Sequence, residues 1–189
     1  LTNFENIRKE RFVDQKTMQH LLRVDIGEKS PLQPMDKRLI RTIKDSGFKY
    51  DCVVVSDYDK GFICGDNCKD IISTLRGEDT VVFVDSKKRD LSCYQECTIK
   101  LNEMEHLNIE KEPFNSEVIV TLGSQGAKWR DQIFPIDPVN VFDVCGAGDT
   151  FMAAFVTAYM STFSFPESIK FANKCARLSV KKFGNYVVS

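Results

Sequence analysis

Cys52-Val53-Val54-Val55-Ser56-Asp57 is the stretch on which the fold turns: four apolar side chains in a row, closed by a polar pair. A strand with one wet face alternates apolar and polar residues, whereas an unbroken apolar run marks a strand covered on both faces. The pattern returns at Val81-Val82-Phe83-Val84 and, more briefly, at Thr98-Ile99-Lys100-Leu101. Val118-Ile119-Val120-Thr121-Leu122 repeats it once more. Between these runs the apolar spacing changes to that of helices. Pro34 opens a helical stretch with Leu39, Ile40 and Ile43, ending near Gly47, and residues 66–75 place Ile71, Ile72 and Leu75 on one side with Gly77 as the stop.

Further out, residues 21–26 read as a strand closed by Gly27, and residues 127–130 and 132–136 as a hairpin. Two helices finish the chain. The first begins around Gly148 and is apolar nearly all round, which predicts deep burial. The second starts at Ser164-Phe165-Pro166-Glu167, with Ser164 as cap and Pro166 in the first turn, and is expected to stop at Gly184. Trp129 and the many Phe residues are read as packing. Strands alternating with helices give an α/β fold with a mostly parallel sheet sandwiched between helices. In such sheets ligands lie beyond the carboxyl ends of the strands. Asp57, Asp85, Asn102, Gly123 and Asp143 all stand there.

Composition narrows the functional classes. Of 189 residues, 42% are hydrophobic, enough for a sizeable core, and 26 Lys and Arg balance 27 Asp and Glu. That balance leaves no electrostatic footprint for nucleic acid or an anionic membrane. The longest apolar run, residues 151–160, is broken by Thr157 and falls far short of the roughly 20 residues a bilayer requires. No basic start followed by an apolar run marks a secretory leader. Seven cysteines are scattered along the chain, with Cys64 and Cys68, and Cys93 and Cys97, standing four apart. A metal site is one reading, but His20 and His106 lack the matching spacing, so free thiols in a reducing cytoplasm are the expectation. No repeat or linker divides the chain, and residues 1–189 are read as a single domain.

Chemistry concentrates at Asp143-Val144-Cys145-Gly146-Ala147-Gly148-Asp149-Thr150-Phe151. Small residues before an apolar helix let the backbone turn tightly and aim several N–H groups at one point. With the helix dipole behind them, these amides suit a phosphate or a developing negative charge. Asp149, beside that site, is a candidate general base for a hydroxyl attacking phosphorus. The alternative is a plain glycine turn with Asp149 as a helix-terminal carboxylate. Other candidates carry alternatives as well. Glu105 could be a first-turn carboxylate, Lys87 part of a solvated Lys87-Lys88-Arg89 run, Asn173 an exposed helix residue, and Asp57-Tyr58 turn chemistry.

These residues support a resemblance. Asp143 to Phe151 resembles the D-x-x-G-A-G-D-[TS]-F signature of the ribokinase-like (PfkB) sugar-kinase family. Asn102-Glu103-Met104-Glu105 is similar to its N-x-x-E motif, Thr121-Leu122-Gly123-Ser124-Gln125-Gly126 to its nucleotide loop, and Phe171-Ala172-Asn173 with Lys182-Phe183-Gly184 to its adenine-side helix and loop. Gln19-His20-Leu21-Leu22-Arg23-Val24-Asp25, Ser56-Asp57-Tyr58-Asp59-Lys60-Gly61 and Asp85-Ser86-Lys87 resemble segments of the heptose 7-phosphate kinases within it. Cys145, Ser86 and Leu101 depart from the common Thr, Pro and Pro.

The resemblance implies a three-layer α/β/α sandwich and an ATP-dependent kinase acting on a sugar or sugar phosphate, a heptose 7-phosphate being the most specific acceptor. It implies Asp149 as catalytic base, and the amides of Gly146, Ala147 and Gly148 as an anion hole. Asn102 and Glu105 would organise Mg²⁺ and phosphates through water. Thr121, Gly123 and Gly126 would line the nucleotide, with Asn173 near its base and Lys87 as a phosphate contact. Asp143 and the backbone at Cys145 would form a monovalent-cation site, suited to K⁺, and Asp57 would touch the acceptor. The chain corresponds to roughly the carboxyl-terminal three-fifths of such a kinase, with the amino-terminal part and lid expected to be missing. An unpaired sheet edge then favours a homodimer. The rival expectation is a nucleotide- or sugar-phosphate-binding module without catalysis.

Overall fold

The computed structural model describes residues 8–17, 19–27, 34–47, 49–76, 79–182, 184 and 188; the helix stop expected at Gly77 and the Phe183 of the terminal motif lie outside them. The apolar runs form one six-stranded sheet in the order β3 (Cys52–Asp57), β4 (Val81–Ser86), β5 (Thr98–Asn102), β6 (Glu117–Thr121), β7 (Ala127–Trp129), β8 (Gln132–Phe134). The first four strands are parallel, and β7 and β8 fold back antiparallel. The expected hairpin is therefore present, and it closes one side of an otherwise parallel sheet.

Side-chain alternation along each strand separates two cores. Val82 and Val84 of β4 and Ile99 and Leu101 of β5 point to one face, against Ile40 of α1 (Lys37–Asp45) and Ile71 and Ile72 of α2 (Gly65–Leu75). Phe83 points to the other, against Phe151, Phe155 and Val156 of α4 (Ala147–Thr162) and Ile169 and Ala172 of α5 (Phe165–Ser179). The result is the expected three-layer α/β/α sandwich. Trp129 lies flat against Phe165, ring centroids 4.7 Å apart, and Phe83 meets Phe155 and Tyr159 edge to face. These rings are packing, as their sequence context implies.

Several boundaries move. The first described helix starts at Lys37, because the Asp36 carboxylate caps it by accepting the Arg38 amide at 2.8 Å, which leaves Pro34 outside. Helix α4 buries one side only: Ala153 and Thr157 are exposed. Helix α5 ends at Ser179 rather than near Gly184, since the Val180 carbonyl turns away to accept the amides of Phe142 and Asp143. An antiparallel ribbon of β1 (Arg8–Val13) and β2 (His20–Ile26) stands apart from the main sheet; the residue 21–26 strand was legible, but its partner, rich in charge, was not. The free-thiol expectation is corrected too. Cys68 of α2 and Cys93 after β4 are joined as a disulfide, while Cys52, Cys64, Cys97, Cys145 and Cys175 are free. The pairing spans 25 residues and is made by α2 packing on the sheet, so the four-residue spacings gave no sign of it. No described helix is long and apolar enough to cross a membrane.

Gly126, between the 3-10 turn Gly123–Gln125 and β7, has φ +95°, and a Cβ there would sit 2.1 Å from the Phe134 carbonyl oxygen. Both the backbone conformation and the space demand glycine. Gly126→Ala is expected to cost about 3 kcal/mol of stability, read as a lower denaturation midpoint; an unchanged midpoint would contradict the close approach.

Candidate active site

The loop before α4 is built around the Asp143 carboxylate. Its Oδ1 accepts the Cys145 amide at 2.9 Å and its Oδ2 the Gly184 amide at 3.0 Å, with His20 Nε2 of the ribbon 3.4 Å away. Burial pushes this carboxyl up, but the two amides and His20 outweigh it and hold it below the ordinary carboxylate value. Gly146, the residue before the helix, takes φ +74°, a left-handed turn that swings the following amides toward the cleft. Among the described residues, the Gly146 and Gly148 amides have no hydrogen-bond partner, whereas Ala147 N–H closes the turn on Val144 at 3.2 Å. Of the three amides expected to form an anion hole, two are therefore open and one is engaged. Asp149, exposed in the first turn of α4, forms no hydrogen bond or ion pair among the described residues.

Two cavities meet at this loop. One is an open cleft of about 590 Å³ reaching from Asp149 and Gly146 across to Asp85, Lys87, Lys100 and Asn102. The other is a smaller, mainly apolar cavity of about 230 Å³ lined by Ile136, Val139, Phe151, Asn173 and Arg177 among others. Thr121, Gly123, Val144 and Gly148 border both. The nucleotide-loop candidates Thr121 and Gly123 thus stand at the junction, with Gly126 and Asn173 on the apolar side. Asn173 is buried, and its amide donates to the Phe134 carbonyl at 2.7 Å, tying α5 to β8; it is not an exposed helix residue.

On the cleft's far wall, Asn102 caps the short helix α3 (Glu103–Leu107) through a reciprocal box. The Glu105 amide donates to Asn102 Oδ1 at 2.8 Å, and the Asn102 amide donates to Glu105 Oε2 at 2.7 Å. The other Glu105 oxygen accepts from Lys87. Burial alone would lower the Lys87 pKa, but Glu105 and Asp85 beside it raise it above the usual value. Lys87 therefore belongs to the cleft and not to a solvated charge run.

The Asp57 carboxylate is buried: Oδ1 accepts the Asp59 amide at 2.9 Å, and Oδ2 faces the Tyr94 hydroxyl and Lys88 Nζ, the latter at 3.1 Å. Burial, then the adjoining Asp57 carboxylate, push the Tyr94 hydroxyl well above its ordinary value. With both oxygens engaged, Asp57 anchors the loop after β3, and it also lines the open cleft. Lys100, with Asp85 beside it, is the site residue that reading by motif missed. Its only signal was a charged residue inside an apolar strand.

Fold and site together define a three-layer α/β/α protein with a cleft, bordered by the open amides of Gly146 and Gly148, at the carboxyl edge of its parallel strands. Residues 77–188 match the model of the pfkB family carbohydrate kinases, and the chain belongs to that family. It is 33% identical over 197 residues to the bifunctional protein HldE of Sulfurimonas denitrificans, covering 90% of this chain and 41% of that protein. The chain thus spans about two-fifths of that relative's length. Among solved structures, phosphofructokinase-2 of Escherichia coli in complex with potassium superposes with a TM-score of 0.73 at 16% identity, covering 93% of this chain and 65% of that one. Arabidopsis thaliana ribokinase complexed with ribose and ATP gives 0.63 at 20%, covering 90% and 62%.

A carboxylate held below its unfolded pKa stabilises the fold above about pH 4 and loses that contribution as pH falls through its folded value. Wild-type protein is therefore expected to lose stability as pH falls below about 4 more steeply than Asp143→Asn, which should also be less stable at neutral pH. Parallel acid limbs in denaturant titrations would argue against the Asp143 clasp.

Proposed function

We propose that the chain is the nucleotide-binding and catalytic part of an ATP-dependent kinase that phosphorylates a hydroxyl of a sugar or sugar phosphate. The observation that carries this reading is the placement of Asp149, unpartnered among the described residues, on the rim of a cleft that opens beside the free amides of Gly146 and Gly148. The apolar cavity suits a purine and the junction at Thr121 and Gly123 its phosphates. Asp149 accepts the proton of the attacking hydroxyl as its oxygen bonds to phosphorus and the bond to the nucleotide's bridging oxygen breaks. The open amides hold the charge that develops on the phosphoryl oxygens.

Mg²⁺ suits the far wall, whose donors are oxygens and include Asp85 Oδ1, a buried atom with no hydrogen-bond partner. Glu105, Asn102 and Asp85 would hold the ion, and bound there it would neutralise phosphate charge. At Asp143 the carboxylate accepts the Cys145 and Gly184 amides; with the backbone at Cys145 it would be the place for a monovalent cation, and no step is assigned to K⁺.

A heptose 7-phosphate, phosphorylated at its anomeric hydroxyl, is the acceptor we favour, supported by the likeness to HldE. The share of that relative left uncovered favours a second reading, a binding module that needs further polypeptide to turn over. Phosphate transfer from labelled Mg-ATP to a panel of sugars and sugar phosphates separates the two. Wild type should transfer, and Asp149→Asn should fall by about a hundredfold or more with nucleotide affinity nearly unchanged. Nucleotide binding without transfer would support the module, and full activity in Asp149→Asn would remove Asp149 as the base.

A further inference from the structure

Lys100 is a buried cation in the middle of the sheet. Strand alternation puts it on the α4 side, in register with Asp85 of β4, and its side chain is 5% exposed. The ammonium donates to Asp85 Oδ2 at 2.5 Å. It also lies against the anion loop: a Cβ built on Gly148 would be 3.2 Å from Lys100 Nζ, so the glycine leaves the space through which the charge approaches the loop.

Both members of this pair are incompletely satisfied. An ammonium has three N–H donors, and among the described residues Asp85 is the acceptor Lys100 uses. Asp85 Oδ1 is buried without a partner, and Lys87 Nζ stands 3.9 Å from it, beyond hydrogen-bond reach. A buried ion pair gives little net stability over apolar residues of the same size, and its spare donors carry a desolvation penalty until something fills them. Phe83 and Ile119, on the same face of the sheet, belong to the apolar core. The exception to that row sits where the cleft opens.

We propose that Lys100 is a catalytic residue that contacts the phosphoryl group in transit from below, opposite the open amides of Gly146 and Gly148, and that Asp85 is the positioning residue that holds it there. The proposal deepens the kinase reading and rests on it. During transfer one bond from phosphorus to the bridging oxygen breaks, one bond from phosphorus to the acceptor oxygen forms, and the acceptor proton passes to Asp149. Lys100 keeps its own protons throughout. Its fixed charge faces the equatorial oxygens and the bridging oxygen that leaves with the nucleotide diphosphate. Buried and anchored by Asp85, the charge needs little rearrangement as the transition state forms. Lys87, half-exposed on a loop and tied to Glu105, has no comparable rigidity.

The test compares wild type with Lys100→Met and with Lys100→Gln, whose amide can still donate to Asp85 if the methionine variant misfolds. Calorimetry with Mg²⁺ and either ADP or β,γ-imido-ATP reads the contact, and turnover at saturating Mg-ATP reads the chemistry. Wild type should favour the triphosphate. Both variants should lose about tenfold or more of that preference and about a hundredfold or more in turnover, while ADP affinity stays within about twofold, a pattern that a merely structural lysine would not give. Variants that keep the triphosphate preference and the turnover of wild type overturn the role of Lys100 alone. Wild type that binds neither nucleotide overturns the kinase reading, and this proposal with it.

Discussion

The Asp143 carboxylate is the point on which the site depends. One side chain ties together the loop that opens α4, through Cys145, the chain beyond α5, through Gly184, and the β1–β2 ribbon, through His20. Without it the left-handed turn at Gly146 would have no fixed start, and the amides of Gly146 and Gly148 would not share one direction. Val180 reinforces the clasp by accepting the amides of Phe142 and Asp143. The loop before α4 is thus held from both ends of the terminal helix pair, the fixed placement on which the proposed chemistry would rely.

The sheet does a second kind of sorting. Asp57 and Asp85 both end apolar strands and look alike on the page, yet they do different work. Asp57 falls on the α2 face, where Tyr94 and Lys88 close over it, and Asp85 falls on the α4 face, where it meets Lys100 beneath the loop. The neighbouring Lys87 and Lys88 divide in the same way, one toward Glu105 in the cleft and one inward to Asp57 and Asp59. A difference of one residue in register decides which face of the sheet, and which partners, a charge meets.

The layers of the fold were legible because unbroken apolar runs such as 52–55 and 81–84 leave few alternatives to a covered parallel sheet. The tight turn before α4 was legible because glycine spacing and a following apolar helix are local features. Motif reading could not find what depends on distance in the chain. The Cys68–Cys93 bond, the ribbon partner β1 and the clasp from Asp143 to Gly184 each join segments whose closeness only packing creates. Lys100 was passed over for a related reason: inside Thr98-Ile99-Lys100-Leu101 it read as an interruption of a strand, and only the position of Gly148 above it gives the charge a purpose.

The stacking of Trp129 on Phe165 has a consequence for how the molecule can be watched. The chain contains one tryptophan. Its ring nitrogen donates to Glu117 at 2.7 Å, and Arg130 lies over its face. The indole emission of the protein therefore comes from a single place, the seam where the β7–β8 hairpin meets the start of α5. Asn173 fastens the same helix to Phe134 from the wall of the apolar cavity. A change in fluorescence on adding a ligand would report on the side of the molecule that holds the apolar cavity, and events confined to the far wall of the cleft would leave it unchanged.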